Sequence, residues 1–237
     1  MTQFYDMRVR STISIGESTP SELVEFIDRL GINGICLADF AEKSINDFYK
    51  LKDELGNYST EIFSRADFSS KSTISLKRAL GRIRGNFDVI GVEYPNRNVL
   101  TLAARDSRID IVVINPENAK IFRRSAAKLA AKNNTAVEIS LCWIISTNGF
   151  LRMNTLSKLR KVVEETLNAD APLLLSSGAI NKYQLRAPRE LMALAKLLDI
   201  DETKAKEALS DVPKQIIDRN IEKRDPSYIM KGVKIVK

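Results

Sequence analysis

Short runs of apolar and β-branched residues recur along the 237-residue chain, and each is followed by a segment whose apolar positions return every three or four residues. The runs are Phe4–Val9, Gly34–Ala38, Glu61–Asp67, Phe87–Glu93, Asp110–Ile114, Ala136–Ser140 and Pro172–Ser176. Their starts are mostly 22–30 residues apart, the length of one βα unit, with a longer last interval. Ile111-Val112-Val113-Ile114 and Pro172–Ser176 show little alternation, as expected of parallel strands covered on both faces.

The intervening segments carry helix signals. Thr19-Pro20-Ser21-Glu22 reads as a capping box with proline at the first helical position, Leu23, Phe26, Ile27 and Leu30 form one stripe, and Gly31 supplies a stop. Asn115-Pro116 is expected to open a basic helix, and Ala187-Pro188 another with Leu191, Leu194, Ala195 and Leu198 inward. Seven βα units predict an α/β fold: a single TIM-like barrel of about seven parallel strands ringed by helices. Asp201–Leu209 and Pro213–Arg224 read as two further helices, and Gly232–Val236 has the composition of a short strand. The expectation is one domain over 1–237, with 200–237 a helical, basic C-terminal extension.

Composition narrows the chemistry. The chain holds 37 Lys plus Arg, 30 Asp plus Glu and no histidine, for a net charge of +7. Without histidine there is no Ser-His-Asp or Cys-His triad and no H-E-x-x-H zinc site, and two cysteines are too few for a thiolate zinc site. Cys36 and Cys142 lack a C-x-x-C context and read as reduced thiols. No run approaches a membrane span and the start does not read as a signal peptide, so a cytoplasmic chain is expected. Residues 1–60 carry 6 basic against 10 acidic side chains, whereas 68–87 and 118–137 hold basic residues and no acid, a field suited to a polyanion. The two sides are therefore expected to meet different partners.

In a parallel barrel the functional face lies at the C-terminal strand ends. Asp6, Arg8, Asp39, Arg65, Asp67, Glu93, Asn115, Glu138, Ser176 and Ser177 are placed there. The carboxylates suit either magnesium binding and acid–base work or, equally, helix capping and pairing with Arg8 and Arg65. Ser176-Ser177-Gly178-Ala179 could form a phosphate-binding turn, with Arg186 and Arg189 beside it at a helix start where cations oppose the macrodipole. Lys120, Arg124, Lys128 and Lys132 recur every four residues and predict one basic helix face. Trp143 and Phe150, after the sixth run, read as packing residues more readily than as a stacking platform.

Phe4-Tyr5-Asp6-Met7-Arg8-Val9, Arg108-Ile109-Asp110-Ile111-Val112, Ala136-Val137-Glu138-Ile139, and Ser176-Ser177-Gly178-Ala179 followed by Arg186-Ala187-Pro188-Arg189-Glu190-Leu191 occur in that order. Over roughly residues 3–225 the chain resembles the family of archaeal ribonuclease P protein component 3, homologous to the thirty-kilodalton protein subunit of the eukaryotic enzyme. The resemblance implies a barrel related to the polymerase-and-histidinol-phosphatase superfamily, whose Asp-x-His-x-His metal motif aligns here with Asp6-Met7-Arg8-Val9-Arg10. Arginine in both ligand positions would repel a divalent cation. It further implies a non-catalytic subunit that supports an RNA carrying the magnesium, with no cofactor or metal on this chain, in removing the 5′ leader of precursor tRNA. The implied partners are ribonuclease P RNA, component 2 in a heterotetramer, and the other protein subunits. The candidate RNA contacts are Arg65, Arg97, Arg105, Arg108, Lys120, Arg123, Arg124, Lys128, Arg186 and Arg189. Asp6, Arg8, Asp67, Glu93, Glu138, Ser176 and Ser177 are expected to be structural residues of the barrel mouth. The alternative is a magnesium-dependent barrel phosphatase or nuclease of the same superfamily using Asp6, Asp67, Glu93 and Glu138.

Overall fold

The computed structural model describes residues 2–40, 44–225, 227–230 and 233–234. Strands β1 (Tyr5–Val9), β2 (Gly34–Leu37), β3 (Glu61–Ser69), β4 (Val89–Glu93), β5 (Ile111–Ile114), β6 (Ala136–Ser140) and β7 (Leu173–Ser176) pair in parallel in chain order. Helices α1 (Pro20–Arg29), α2 (Ile45–Glu54), α3 (Thr73–Ile83), α4 (Arg97–Ala103) and α5 (Arg124–Asn133) follow the first five strands. A short α6 (Cys142–Ile145) and the long α7 (Gly149–Leu167) follow β6, and α8 (Pro188–Ala195), α9 (Glu202–Leu209) and α10 (Asp211–Arg224) follow β7. The expected α1 capping box is present: Glu22 N donates to Thr19 Oγ1 at 3.3 Å while Thr19 N donates to Glu22 Oε2 at 3.0 Å.

Alternation along each strand sorts side chains into two cores. Val9, Ile35, Leu37, Ile90, Val92, Val112, Ile114, Val137, Ile139 and Leu175 pack outward beneath the helices. Tyr5, Met7, Cys36, Phe63, Val89, Ile111, Val113, Ala136 and Leu174 fill the barrel itself. Ile216 and Ile217 of α10 join that inner cluster. The segment expected as an extension is thus part of the barrel, whose apolar interior would otherwise open to water. Polar bonds fasten it: Arg84 Nη2 donates to Asn220 Oδ1 (2.7 Å), Arg219 Nη2 to the buried Asp110 Oδ1 (3.0 Å), and Asn220 Nδ2 to Asp88 O (2.9 Å).

The barrel is nearly closed. Beside β7, β1 forms no ladder; instead Ser177 N donates to Asp6 Oδ1 at 3.1 Å and Arg10 N to Ala179 O at 2.9 Å. Past α10, Tyr228–Met230 (β8) pairs antiparallel with Val233–Lys234 (β9), the described part of the strand expected over Gly232–Val236; Gly232, Ile235 and Val236 lie outside the described residues.

The expected helix from Asn115-Pro116 is the main departure. Ala119–Ile121 is a single 3-10 turn, Phe122 is buried with extended backbone, and α5 starts only at Arg124. Asn115 Oδ1 accepts from Glu117 N and Asn118 N, and Asn118 Oδ1 accepts from Asn115 N, local bonds that compete with helix formation. Lys120 therefore does not share a helix face with Arg124, Lys128 and Lys132.

Candidate functional site: an arginine-filled mouth and a basic outer face

At the C-terminal strand ends the barrel interior turns from apolar to charged. The β1–β2 register shifts between Asp6 and Val9, and such an irregularity re-aims side chains. Arg8 points inward, where its Nε donates to Asp67 Oδ2 at 2.9 Å, its Nη2 to Glu93, and its Nη1 to Ser140 Oγ at 3.3 Å. Arg65 lies across the interior, 0% exposed. Its Nη1 and Nη2 fork onto Glu138 Oε1 (2.8 Å) and Oε2 (2.5 Å), its Nε donates to Asp67 Oδ1 (2.7 Å), and Nη1 also reaches Met7 O (2.6 Å). Half-buried Arg10 adds a contact to Asp67 Oδ2 at 3.4 Å.

Room for Arg65 comes from Gly91, which sits opposite Asp67 in the β3–β4 register. A Cβ there would lie 2.1 Å from Asp67 Oδ1 and 2.9 Å from Arg65 Nη2. A glycine inside a strand often marks such a close approach, and this was the sequence signal that pointed to the charged layer.

Electrostatics follow the pairing. Despite its burial, Asp67 is held well below the usual carboxylate range by Arg65, Arg8 and Arg10. Arg65 is raised, its burial outweighed by Asp67 and Glu138. Asp6 goes the other way: burial pushes its carboxyl up to about 6, and while Oδ1 accepts from Ser177 N and Arg8 N, Oδ2 has no partner. Asp39 accepts from the Ser11 and Ser14 hydroxyls and from Ser11 N, which ties down the loop after β1.

Several expected roles need correction. Arg65 cannot reach RNA, because its guanidinium is wholly enclosed and spent on Glu138 and Asp67. Asp6 and Glu138 are not on an accessible rim; both are 0% exposed. The turn after β7 is not a free phosphate cradle, since Ser177 N is taken by Asp6, Ala179 N by Ser177 Oγ, and Ser176 Oγ lies 3.1 Å from Ser140 Oγ. Nor does Arg186 fork outward: Nη1 donates to Tyr183 O (2.6 Å) and Leu185 O (2.7 Å), while Glu190 Oε2 caps α8 through Ala187 N. Trp143 and Phe150 are exposed, Phe150 by 76%, and so are not core packing.

The other candidates lie on the outer surface. Arg97, Arg105, Lys120, Arg123, Arg124, Lys128 and Arg189 are exposed; Arg108 is half-buried and bound to Asp106 at 2.7 Å. No helix among the described residues is long and apolar enough to cross a membrane.

A metal does not fit the mouth. The two acids that face outward, Asp67 and Glu93, are held by Arg8 and Arg10, and among the described residues no cluster of three metal-ligating side chains occurs. Fold and mouth together define a TIM-like barrel of metallohydrolase shape in which guanidinium groups occupy the place of a metal centre. A histidinol phosphate phosphatase from Lactococcus lactis, solved with zinc, L-histidinol and phosphate, shares this fold at a TM-score of 0.56 and 9% identity, covering 92% of this chain and 94% of that one.

The profile of RNase P subunit p30 matches residues 3–225, and ribonuclease P protein component 3 of Methanosarcina acetivorans is 30% identical over 99% of this chain and 96% of its own length. A chain in the cryo-EM structure of archaeal ribonuclease P with mature tRNA superposes with a TM-score of 0.83 at 20% identity, covering 98% of both chains. The chain belongs to the RNase P subunit p30 family and is a protein subunit of ribonuclease P.

Proposed function

We propose that this subunit supports the catalytic RNA of ribonuclease P in removing the 5′ leader of precursor tRNA, and that it meets RNA through the outer face built by α3, α4 and α5. One contrast carries the reading. Among the described residues, Arg78, Arg82, Arg97, Arg105, Arg124 and Lys128 form no salt bridge, whereas Lys196, Lys204 and Lys214 on the opposite side each pair with a carboxylate 2.7–3.2 Å away. The acids within residues 68–133 are mostly spent elsewhere: Asp88 and Asp110 hold α10, Glu93 holds Arg8, and Asp106 holds Arg108. A sector of unneutralised cations suits a phosphate backbone, which releases counterions on contact.

In this reading the chain itself performs no hydrolysis. Its mouth acids are already paired with arginine, and the magnesium chemistry is assigned to the RNA subunit. The protein partner is component 2, in a heterotetramer.

The test is the salt dependence of binding to the ribonuclease P RNA. Arg78→Ala, Arg124→Ala and Lys128→Ala are each expected to lower the slope of log affinity against log salt by about 0.7–0.9, one counterion per lost phosphate contact. Lys204→Ala and Lys214→Ala should leave it unchanged. Equal slopes for all five variants would overturn the assignment of this face.

A further inference from the structure

Exposed apolar side chains are scattered singly over most of the molecule, which is ordinary. The exception lies around α6, α7 and α8. Trp143 ends β6's connection, Phe150, Leu151 and Met153 stand 63–76% exposed on the first turns of α7, and Leu197 is 42% exposed beyond α8. A groove of about 510 Å³ runs between α7 and α8, lined by Ile145, Leu194 and Leu197 with Arg152, Arg186 and Glu190 at its edge. A second, of about 660 Å³, continues along α7 past Met153, Leu156 and Leu198. Arg152 and Met153 are consecutive residues, as are Leu197 and Leu198, so the two grooves form one furrow along the helix. Such a furrow suits an amphipathic helix, whose anchors recur at i, i+3, i+4 and i+7.

Charge narrows the occupant. Arg152 donates Nε to Thr147 O and Arg186 donates Nη1 to two backbone carbonyls, yet neither guanidinium meets a carboxylate among the described residues. Each keeps donors free at the lip of an apolar channel. Glu190, the acid at that lip, is occupied by the α8 cap. A complementary ligand presents apolar side chains to the channel and carboxylates to Arg152 and Arg186. RNA fits poorly, because phosphates placed against Leu194 and Leu197 would lose hydration without gaining a cation.

We infer that the α6–α8 furrow is the docking site for an amphipathic, acid-flanked helical segment of the protein partner proposed above. The assignment rests on that partnership and extends it by placing the contact on α7 and α8, away from the basic α3–α5 face. An apolar anchor predicts an affinity that changes little with salt, unlike the RNA contact.

The experiment uses the full chain with purified component 2 of the same organism and, separately, the ribonuclease P RNA. Leu151→Asp combined with Leu197→Asp alters only exposed side chains. It should keep the wild-type melting temperature and RNA affinity, and weaken component 2 binding about 30-fold or more, as loss of central anchors does. Arg152→Glu should weaken it about tenfold, one order of magnitude being a modest loss for a charge at an interface rim. Hydrogen exchange on the unaltered chain should show component 2 protecting 143–156 and 190–198, which makes the test independent of any variant's folding. If component 2 binds the wild-type chain but protects another surface, the furrow assignment is wrong and the partnership stands. No binding to the wild-type chain overturns both. RNA protection of the furrow, or self-association abolished by the aspartate variants, would overturn the assignment in favour of RNA or of a second copy.

Discussion

Arg65 and Glu138 form a forked pair with both side chains at 0% exposure, enclosed in the barrel without water to screen them. Removing one partner of such a pair strands a buried charge and costs about 3–5 kcal/mol. Gly91 tests the same cluster more gently. A methyl group there meets Asp67 Oδ1 at 2.1 Å, so Gly91→Ala is expected to lose about 1–3 kcal/mol in urea unfolding, the usual cost of overpacking. Wild-type stability would show that the layer has slack. Asp6 gives the pH counterpart. Its folded carboxyl titrates at about 6, above its unfolded value of 3.8, because burial disfavours the anion. The folded state therefore binds the extra proton between those values, and the stability contributed by Asp6 is fully present below 3.8 and lost as pH rises through about 6. Asp6→Asn keeps an acceptor for Ser177 N and has no such titration. The wild type should accordingly fall relative to this variant by up to about 1.4 kcal/mol per pH unit across that window, then level off. A flat difference between pH 4 and 7 would show that Asp6 is not the titrating group.

At the level of elements, α10 behaves as part of the barrel. Ile217, 4% exposed inside the strand ring, should cost about 2–5 kcal/mol when cut to alanine, in the range of buried aliphatic truncations. The loss is read as a shifted urea midpoint with unchanged slope; a loss under 0.5 kcal/mol, roughly that of a surface site, would return α10 to the status of an appendage. The sequence pattern located all seven strands, each within two residues of its observed start, because continuous apolar runs between helical segments have few other readings. It did not show that α10 enters the interior, since Ile216 and Ile217 look like any helical pair until the open end of the barrel beneath them is seen. The helix over 116–132 was misplaced because two asparagines close local turns that outcompete the helix before Arg124. The mouth was partly legible. Asp6, Arg8, Asp67, Glu93 and Glu138 were all placed at strand ends, but Arg65 is 73 residues from Glu138 in sequence, and only closure of the barrel brings them together.

For the whole molecule, the distribution of partners among charges separates function from architecture. Arginines that meet carboxylates (Arg8, Arg65, Arg84, Arg219) hold the barrel, its mouth and its floor, whereas the unpaired cations lie outside on α3–α5. This division bears on whether the scaffold hydrolyses anything itself. A metal at the mouth would have to displace Arg8 from both Asp67 and Glu93, and so leave a guanidinium that is 4% exposed without its counterions. That exchange replaces two made ion pairs with an unpaired buried cation, a loss no single divalent contact offsets without the missing imidazole ligands. The purified chain is therefore expected to cleave neither precursor tRNA nor a phosphate monoester in magnesium, manganese or zinc, while restoring leader removal when combined with the RNA and the other subunits. The control is Asp67→Asn, which removes the acid any metal would need. Turnover that co-purifies with the wild-type chain and disappears in this variant would mean that the arginine-filled mouth opens to a metal after all.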